Sequence, residues 1–293
     1  MEFKRVVVTG LGAITPLGND LNTFWSNLLA GKSGAAPITN FDASKFKTQF
    51  ACEVKGFDPV EYIEKREVRR LDRFSQFAIA SATQAVESSG LNAEGLNKDR
   101  IGVIWGSGIG GLDIFQQEIS AFATGDGTPR FNPFFIPKMI LDIAAGHISM
   151  RYGFRGPNFA TVSACASSTN AIIDASTYLR LGKANAIVVG GSEAPITGGG
   201  IGGFNAMKAL STRNDHPETA SRPFDLDRDG FVMGEGSACI ILETLDSALE
   251  RGANIICEFA GGGMSADAHH LTVPHPEGLG AKNVMVNALD DAG

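Results

Sequence analysis

Apolar positions along the chain fall into two alternating patterns. Short runs rich in β-branched residues predict strands at Arg5 to Thr9, Ile101 to Trp105, Phe159 to Ser163, Ala186 to Val189, Ser237 to Glu243 and Ile255 to Ala260. Helical spacing predicts helices at Asp20 to Ala30, Asp72 to Ser89, Leu112 to Ala123, Lys138 to Met150, about Ala166 to Leu181, and Ala281 to Asp291. The punctuation agrees. Asn19 or Asp20 suits the cap of the first helix, Gly31 its stop, and Gly90 ends the second. Strand–helix alternation of this kind predicts an α/β fold, a mostly parallel or mixed sheet covered by helices. Residues 40–70 read as loop and close on a basic cluster, Lys65-Arg66-Glu67-Val68-Arg69-Arg70. A Gly-rich region, 198–203, follows the strand at Ala186 to Val189.

Composition narrows the class. The 293 residues suffice for one large core or two packed halves. A net charge of -7 gives no reason to expect nucleic acid. Neither a signal peptide nor an apolar run long enough to span a bilayer is expected. The four cysteines have no CxxC spacing, so structural disulfides and zinc are not expected and a reducing cytoplasm fits. Cys239 and Cys257 sit in strand-like runs and read as small buried hydrophobes.

Three glycine motifs suggest phosphate binding. Gly106-Ser107-Gly108-Ile109-Gly110-Gly111 follows a strand and precedes a helix, and Gly10-Leu11-Gly12 follows the first strand. Both invite a nicotinamide-dependent oxidoreductase as a weak alternative. Neither has an acidic residue closing a strand about 20 residues later to hold the ribose. Gly31-Lys32-Ser33 resembles the end of a P-loop, but Ser26 stands where the earlier glycine belongs.

The segment from Gly156 to Asn170 carries the strongest chemical signal. A strand runs into a sharp turn, and a helix begins at Cys165 among Ala164, Ala166, Ser167 and Ser168. Small neighbours leave the sulfur open. The free N–H groups of a helix start favour thiolate over thiol. The Cys165 N–H is also a candidate donor to a thioester oxyanion.

Thr161 to Asn170 resembles the nucleophile motif of the β-ketoacyl-[acyl-carrier-protein] synthases, synthase II most of all. The resemblance runs along the whole chain, through Val6 to Gly12, Gly106 to Gly111, Asn132 to Pro137, Tyr152 to Pro157, Ala209 to Asn214, Ser221 to Asp225 and Arg228 to Gly236. It implies a thiolase-like fold of two similar halves, with residues 1–252 as the half carrying the nucleophile and 253–293 as the start of the second. It implies a homodimer in which the strand before Cys165 pairs with its twin. The implied reaction is a decarboxylating Claisen condensation in fatty acid biosynthesis, joining an acyl chain on the cysteine to malonyl-acyl-carrier protein. Carried over residue by residue, Cys165 matches the nucleophile. Ile109, Phe135 and Phe204 match acyl-tunnel positions, and His270 and Thr272 match positions near the thioester arm. Arg66, Arg69, Arg70 and Lys208 match a basic face for the acidic carrier protein. No cofactor is implied. His269, His270 and His275 lack acidic or cysteine partners in sequence, so no metal is expected either.

The chain departs from the family in one respect. The resemblance requires two catalytic histidines, a nearby lysine and a second oxyanion loop, and none of the five histidines matches. The reading is therefore a synthase cut short and inactive in condensation. The alternative is a non-catalytic fragment that dimerises or binds carrier protein.

Overall fold

The computed structural model describes residues 3–293. Its centre is a six-stranded sheet in the order β5-β4-β6-β7-β1-β8. The strands are β1 (Val6–Ile14), β4 (Ile101–Gly106), β5 (Asn158–Thr161), β6 (Ala186–Glu193), β7 (Gly236–Thr244) and β8 (Cys257–Glu258); β2 (Ala36–Pro37) and β3 (Phe50–Ala51) form a separate small ribbon. The helices are α1 (Leu21–Leu29), α2 (Lys65–Val68), α3 (Arg73–Ser89), α4 (Leu112–Thr124), α5 (Phe135–Met139), α6 (Ile143–Tyr152), α7 (Ser167–Arg180), α8 (Gly198–Ala206), α9 (Leu245–Glu250) and α10 (Leu279–Ala292).

Alternation along the central strands feeds two cores. Ile101, Val103 and Trp105 of β4 face α3 and α6, packing with Phe74, Phe77 and Ile148. Ile104, between them, faces α7 and packs with Ala171, Ala175 and Leu179. A sheet buried on both faces explains the near-continuous apolar runs. The sheet is mixed, within the expected class. β4 runs parallel to β5 and β6, whereas β7 is antiparallel to β6 and β1, and β8 antiparallel to β1.

Most predicted boundaries agree with the structure. Asp20 caps α1 by accepting from the Thr23 N–H, and Gly90 closes α3 at φ 68°. Three differences have physical reasons. β1 continues through Gly10 and Gly12, because α3 lies directly on them: a Cβ on either glycine would overlap the Ala85 or Ser81 carbonyl. The span read as one helix from Lys138 to Met150 is two, broken where Ile140 turns extended at ψ 142°. The Gly-rich 198–203 stretch is helical, capped by Thr197, whose hydroxyl accepts from the Gly200 N–H. Cys239 is buried as expected, but Cys257 is exposed, because β8 is a two-residue edge strand. Among the described residues no helix is long and apolar enough to cross a membrane.

Asp72 joins α3 to α4. One carboxylate oxygen accepts from the Phe74 N–H at 3.3 Å, and the other from the Ile114 N–H at 3.2 Å. Burial pushes its carboxyl up from 3.8 to about 6, against the opposing pull of those N–H donors and Lys138 and with a small push from Asp113. The folded chain thus holds a proton that the unfolded chain releases between about pH 4 and 6. Stability from this group falls as pH rises through that window and is level above it, a change of at most about 3 kcal/mol. Asp72→Asn is expected to lose this slope. Its melting temperature relative to the native chain should rise between pH 4 and pH 7, and a pH-independent difference would refute the assignment.

Candidate active site

β5 ends at Thr161, and the chain reverses over Val162 and Ser163 into a single tight turn, Ala164–Ala166, before α7 begins at Ser167. Ala164 lies in the left-handed region at φ 51°, a conformation that costs an L-residue roughly 1–2 kcal/mol. Hydrogen bonds hold it there. The Ser167 hydroxyl donates to the Ala164 carbonyl at 2.7 Å and accepts from the Ser163 N–H at 2.9 Å, while the Asn170 amide donates to the Ser163 hydroxyl at 2.8 Å. The result thrusts Cys165 outward, exposed. Among the described residues no acceptor takes the Cys165 N–H.

The elbow rests on two glycines. Gly106 of β4 and Gly191 of β6 are paired across the parallel ladder and form a flat seat. A Cβ on Gly106 would come within 2.6 Å of the Ser167 carbonyl carbon and the Ser168 nitrogen, and one on Gly191 would overlap the Ser168 hydroxyl.

Cys165 opens into a cavity of about 690 Å³. Ile109 and Phe204 line it, as do Ile172, Val189 and Met233. Phe231 meets Phe204 edge-on at 5.4 Å. The structure thus brings together Cys165, Ile109 and Phe204 of the candidate residues. Phe135 stands outside the lining, stacked on Phe131 at 5.7 Å. His270 and Thr272 also lie outside it, in an exposed loop where the His270 ring accepts from the Thr272 N–H at 3.2 Å. Arg66, Arg69, Arg70 and Lys208 are all exposed. Two of them are partly neutralised: Arg66 pairs with Glu64 at 2.8 Å and Arg70 with Glu67 at 3.0 Å. Among the described residues no His, Cys, Asp and Glu cluster could hold a metal. None of the five histidines lines the cavity.

The glycine loop after β4 departs from the dinucleotide reading. Its donors are already taken by the carboxylate of Glu193, which accepts from the N–H groups of Gly108, Ile109 and Gly110 and from the Ser107 hydroxyl. A pyrophosphate would find neither free N–H groups nor a neutral neighbour. Gly10 and Gly12 serve helix packing instead.

Residues 3–248 match the family described as Beta-ketoacyl synthase, N-terminal domain. The chain is 49% identical over 293 residues to 3-oxoacyl-[acyl-carrier-protein] synthase 2 of Coxiella burnetii (strain RSA 493 / Nine Mile phase I), covering 100% of this chain and 70% of the relative. It is 48% identical, with the same coverage, to the protein of that name from Synechocystis sp. (strain ATCC 27184 / PCC 6803 / Kazusa). The chain belongs to the β-ketoacyl synthase family.

Solved structures agree on the fold. A β-ketoacyl synthase from Burkholderia phymatum STM815 superposes with a TM-score of 0.87 at 31% identity, over 99% of this chain and 70% of that one. A type II polyketide acyl-carrier protein in complex with its ketosynthase, bound to the hexaketide, superposes with a TM-score of 0.84 at 29% identity, over 99% and 70%. Within this family fold, sequence reasoning missed Glu193 and Ser107. The available signal was an acidic residue ending a glycine-bearing strand, Gly190-Gly191-Ser192-Glu193, beside a loop of free N–H groups.

Proposed function

We propose that Cys165 is the acyl-accepting nucleophile of a 3-oxoacyl-[acyl-carrier-protein] synthase of fatty acid biosynthesis. The observation that carries this reading is the exposed Cys165, with its N–H free, at an apolar cavity of about 690 Å³. The thiolate attacks the thioester carbonyl of acyl-carrier protein, and the Cys165 N–H donates to the oxyanion. The new carbon–sulfur bond forms as the carrier's thiolate leaves and takes up a proton. The acyl chain enters the cavity past Ile109 and Phe204, each methylene contributing about 0.8 kcal/mol by burial. In the complete reaction, malonyl-carrier protein loses CO2, and the electron pair left on carbon attacks the acyl carbonyl and releases the Cys165 thiolate. That carbanion needs donors to stabilise it. None of the five histidines lines the cavity, and the step assigned to these residues is acyl transfer.

The exposed Arg66, Arg69, Arg70 and Lys208 are proposed to face the acidic carrier protein, with Glu64 and Glu67 moderating the field. β5 is the end strand of the sheet and Val162 beside it is 57% exposed, which supports pairing of two copies along that edge. Phe135 is proposed as a wall of the acyl tunnel, and His270 and Thr272 as contacts for the thioester arm. The same reading makes residues 253–293 the opening of a second thiolase-like half and places the protein in the cytoplasm.

Incubation with a medium-chain acyl-carrier protein tests it. Intact mass is expected to rise by one acyl group, which neutral hydroxylamine removes and peptide mapping places on Cys165. A chain that takes no acyl group, yet associates and binds carrier protein, would favour the non-catalytic fragment.

A further inference from the structure

Glu193 ends β6 with its carboxylate turned into the loop after β4. Four donors converge on it: the Ser107 hydroxyl at 3.1 Å, and the N–H groups of Gly108, Ile109 (3.2 Å) and Gly110 (3.0 Å). The Ser107 hydroxyl in turn accepts from the Gly110 N–H at 3.2 Å. The loop is therefore wrapped round one carboxylate. It also touches the elbow: a Cβ on Gly108 would lie 3.0 Å from the Glu193 carboxylate and 3.3 Å from the Ala164 carbonyl. Ile109, at the centre of this nest, is 40% exposed and lines the cavity beside Cys165. Its backbone position depends on Glu193.

We infer that Glu193 is a positioning residue for acyl-chain selection, because its carboxylate fixes the loop that carries Ile109 into the cavity wall. The inference rests on the proposal that Ile109 walls the acyl chain and deepens it. An anion gathers three backbone N–H groups more strongly than a neutral acceptor does. Glu193→Gln keeps the size and one acceptor oxygen. It turns an NH2 group toward N–H donors, so the loop must relax and Ile109 with it. A looser wall admits longer chains.

The test needs no thioester chemistry. An apolar fluorescent probe in the cavity of the native chain is displaced by octanoate and by hexadecanoate, and the ratio of the two dissociation constants is measured. Glu193→Gln is expected to shift that ratio roughly tenfold toward hexadecanoate, the size of one lost charge-assisted hydrogen bond. Ile109→Ala should shift it the same way, and the double variant no further than the larger single change. An unchanged ratio in a folded Glu193→Gln chain overturns the inference. So does an equal loss of affinity for both acids, or additive shifts in the double variant. Should Glu193→Gln fail to fold, Ser107→Ala removes one donor to the carboxylate; a smaller shift in the same direction supports the inference and no shift overturns it. A native chain that binds neither acid overturns the wall reading and this inference with it. Acylation of Cys165, run in parallel by intact mass, reports separately on the nucleophile.

Discussion

Cys165→Ala is expected to abolish acylation while leaving the fold intact. The four cysteines are distinguished by their surroundings. Burial holds Cys239 far up in its thiol form and raises Cys52 as well, Lys55 opposing the shift at Cys52 only in part. Neither is a nucleophile near neutral pH, since the thiolate is the reactive species. Cys165 and Cys257 are exposed. Only Cys165 adjoins the cavity, and only there can an acyl chain be buried while its carbonyl meets sulfur. The neighbouring serines cannot substitute. Ser163 and Ser167 spend their hydroxyls holding the elbow. Ser168 is a weak nucleophile without an adjacent base. Removal of one exposed sulfur with no hydrogen-bond partner should change stability by no more than about 0.5 kcal/mol. Intact mass after incubation with acyl-carrier protein, beside a thermal melt, checks both halves. An adduct of undiminished size in Cys165→Ala would point to Cys257 and sink the assignment.

That result would test the part of the site most legible in sequence. The strand, sharp turn and helix start around Cys165 could be read from residue size and spacing, because small residues and a helix start are local properties. The caps at Asp20 and Gly90 were legible for the same reason. What escaped were relations between distant segments. The glycines that continue β1 and those of α8 carried no strand or helix signal of their own; at Gly10, Gly12 and Gly200 a neighbouring carbonyl, of Ala85, Ser81 and Pro195 in turn, lies where a side chain would be. The Gly106–Gly111 loop looked like a phosphate cradle, and local spacing could not show that Glu193, over 80 residues away, already fills it. The exposed Cys257 was misread because an apolar run says little about how many strands lie beyond it. Antiparallel pairing of β6, β7 and β1 likewise depends on where the chain returns, which strand–helix alternation leaves open.

Gly106→Ala is expected to cost about 3 kcal/mol of stability and to slow acylation of Cys165 roughly 100-fold. The new Cβ would sit 2.6 Å from the Ser167 carbonyl carbon and the Ser168 nitrogen and 2.7 Å from the Ser167 oxygen. All three are backbone atoms, so no rotamer change relieves the clash. Ordinary carbon contacts need about 3.5–4.0 Å, so the first turn of α7 must rise about 1 Å from the sheet. The buried Ala171, Ala175 and Leu179 would lose contact with Ile104 and Ile187 as it rises. Cys165 precedes that turn and moves with it. Displacement of about 1 Å is enough to cost two orders of magnitude where reacting atoms must align. Gly146→Ala supplies the contrast. Gly146 lies within α6 with nothing within 4 Å of an added Cβ, so alanine there should stabilise by about 0.5–1 kcal/mol through helix propensity and leave acylation unchanged. Melting temperature and acylation rate measured on both variants separate the two cases. If Gly106→Ala melts and acylates as the native chain does, the glycine seat does not hold the elbow, and Cys165 must owe its position to the Ser163, Ser167 and Asn170 hydrogen bonds alone.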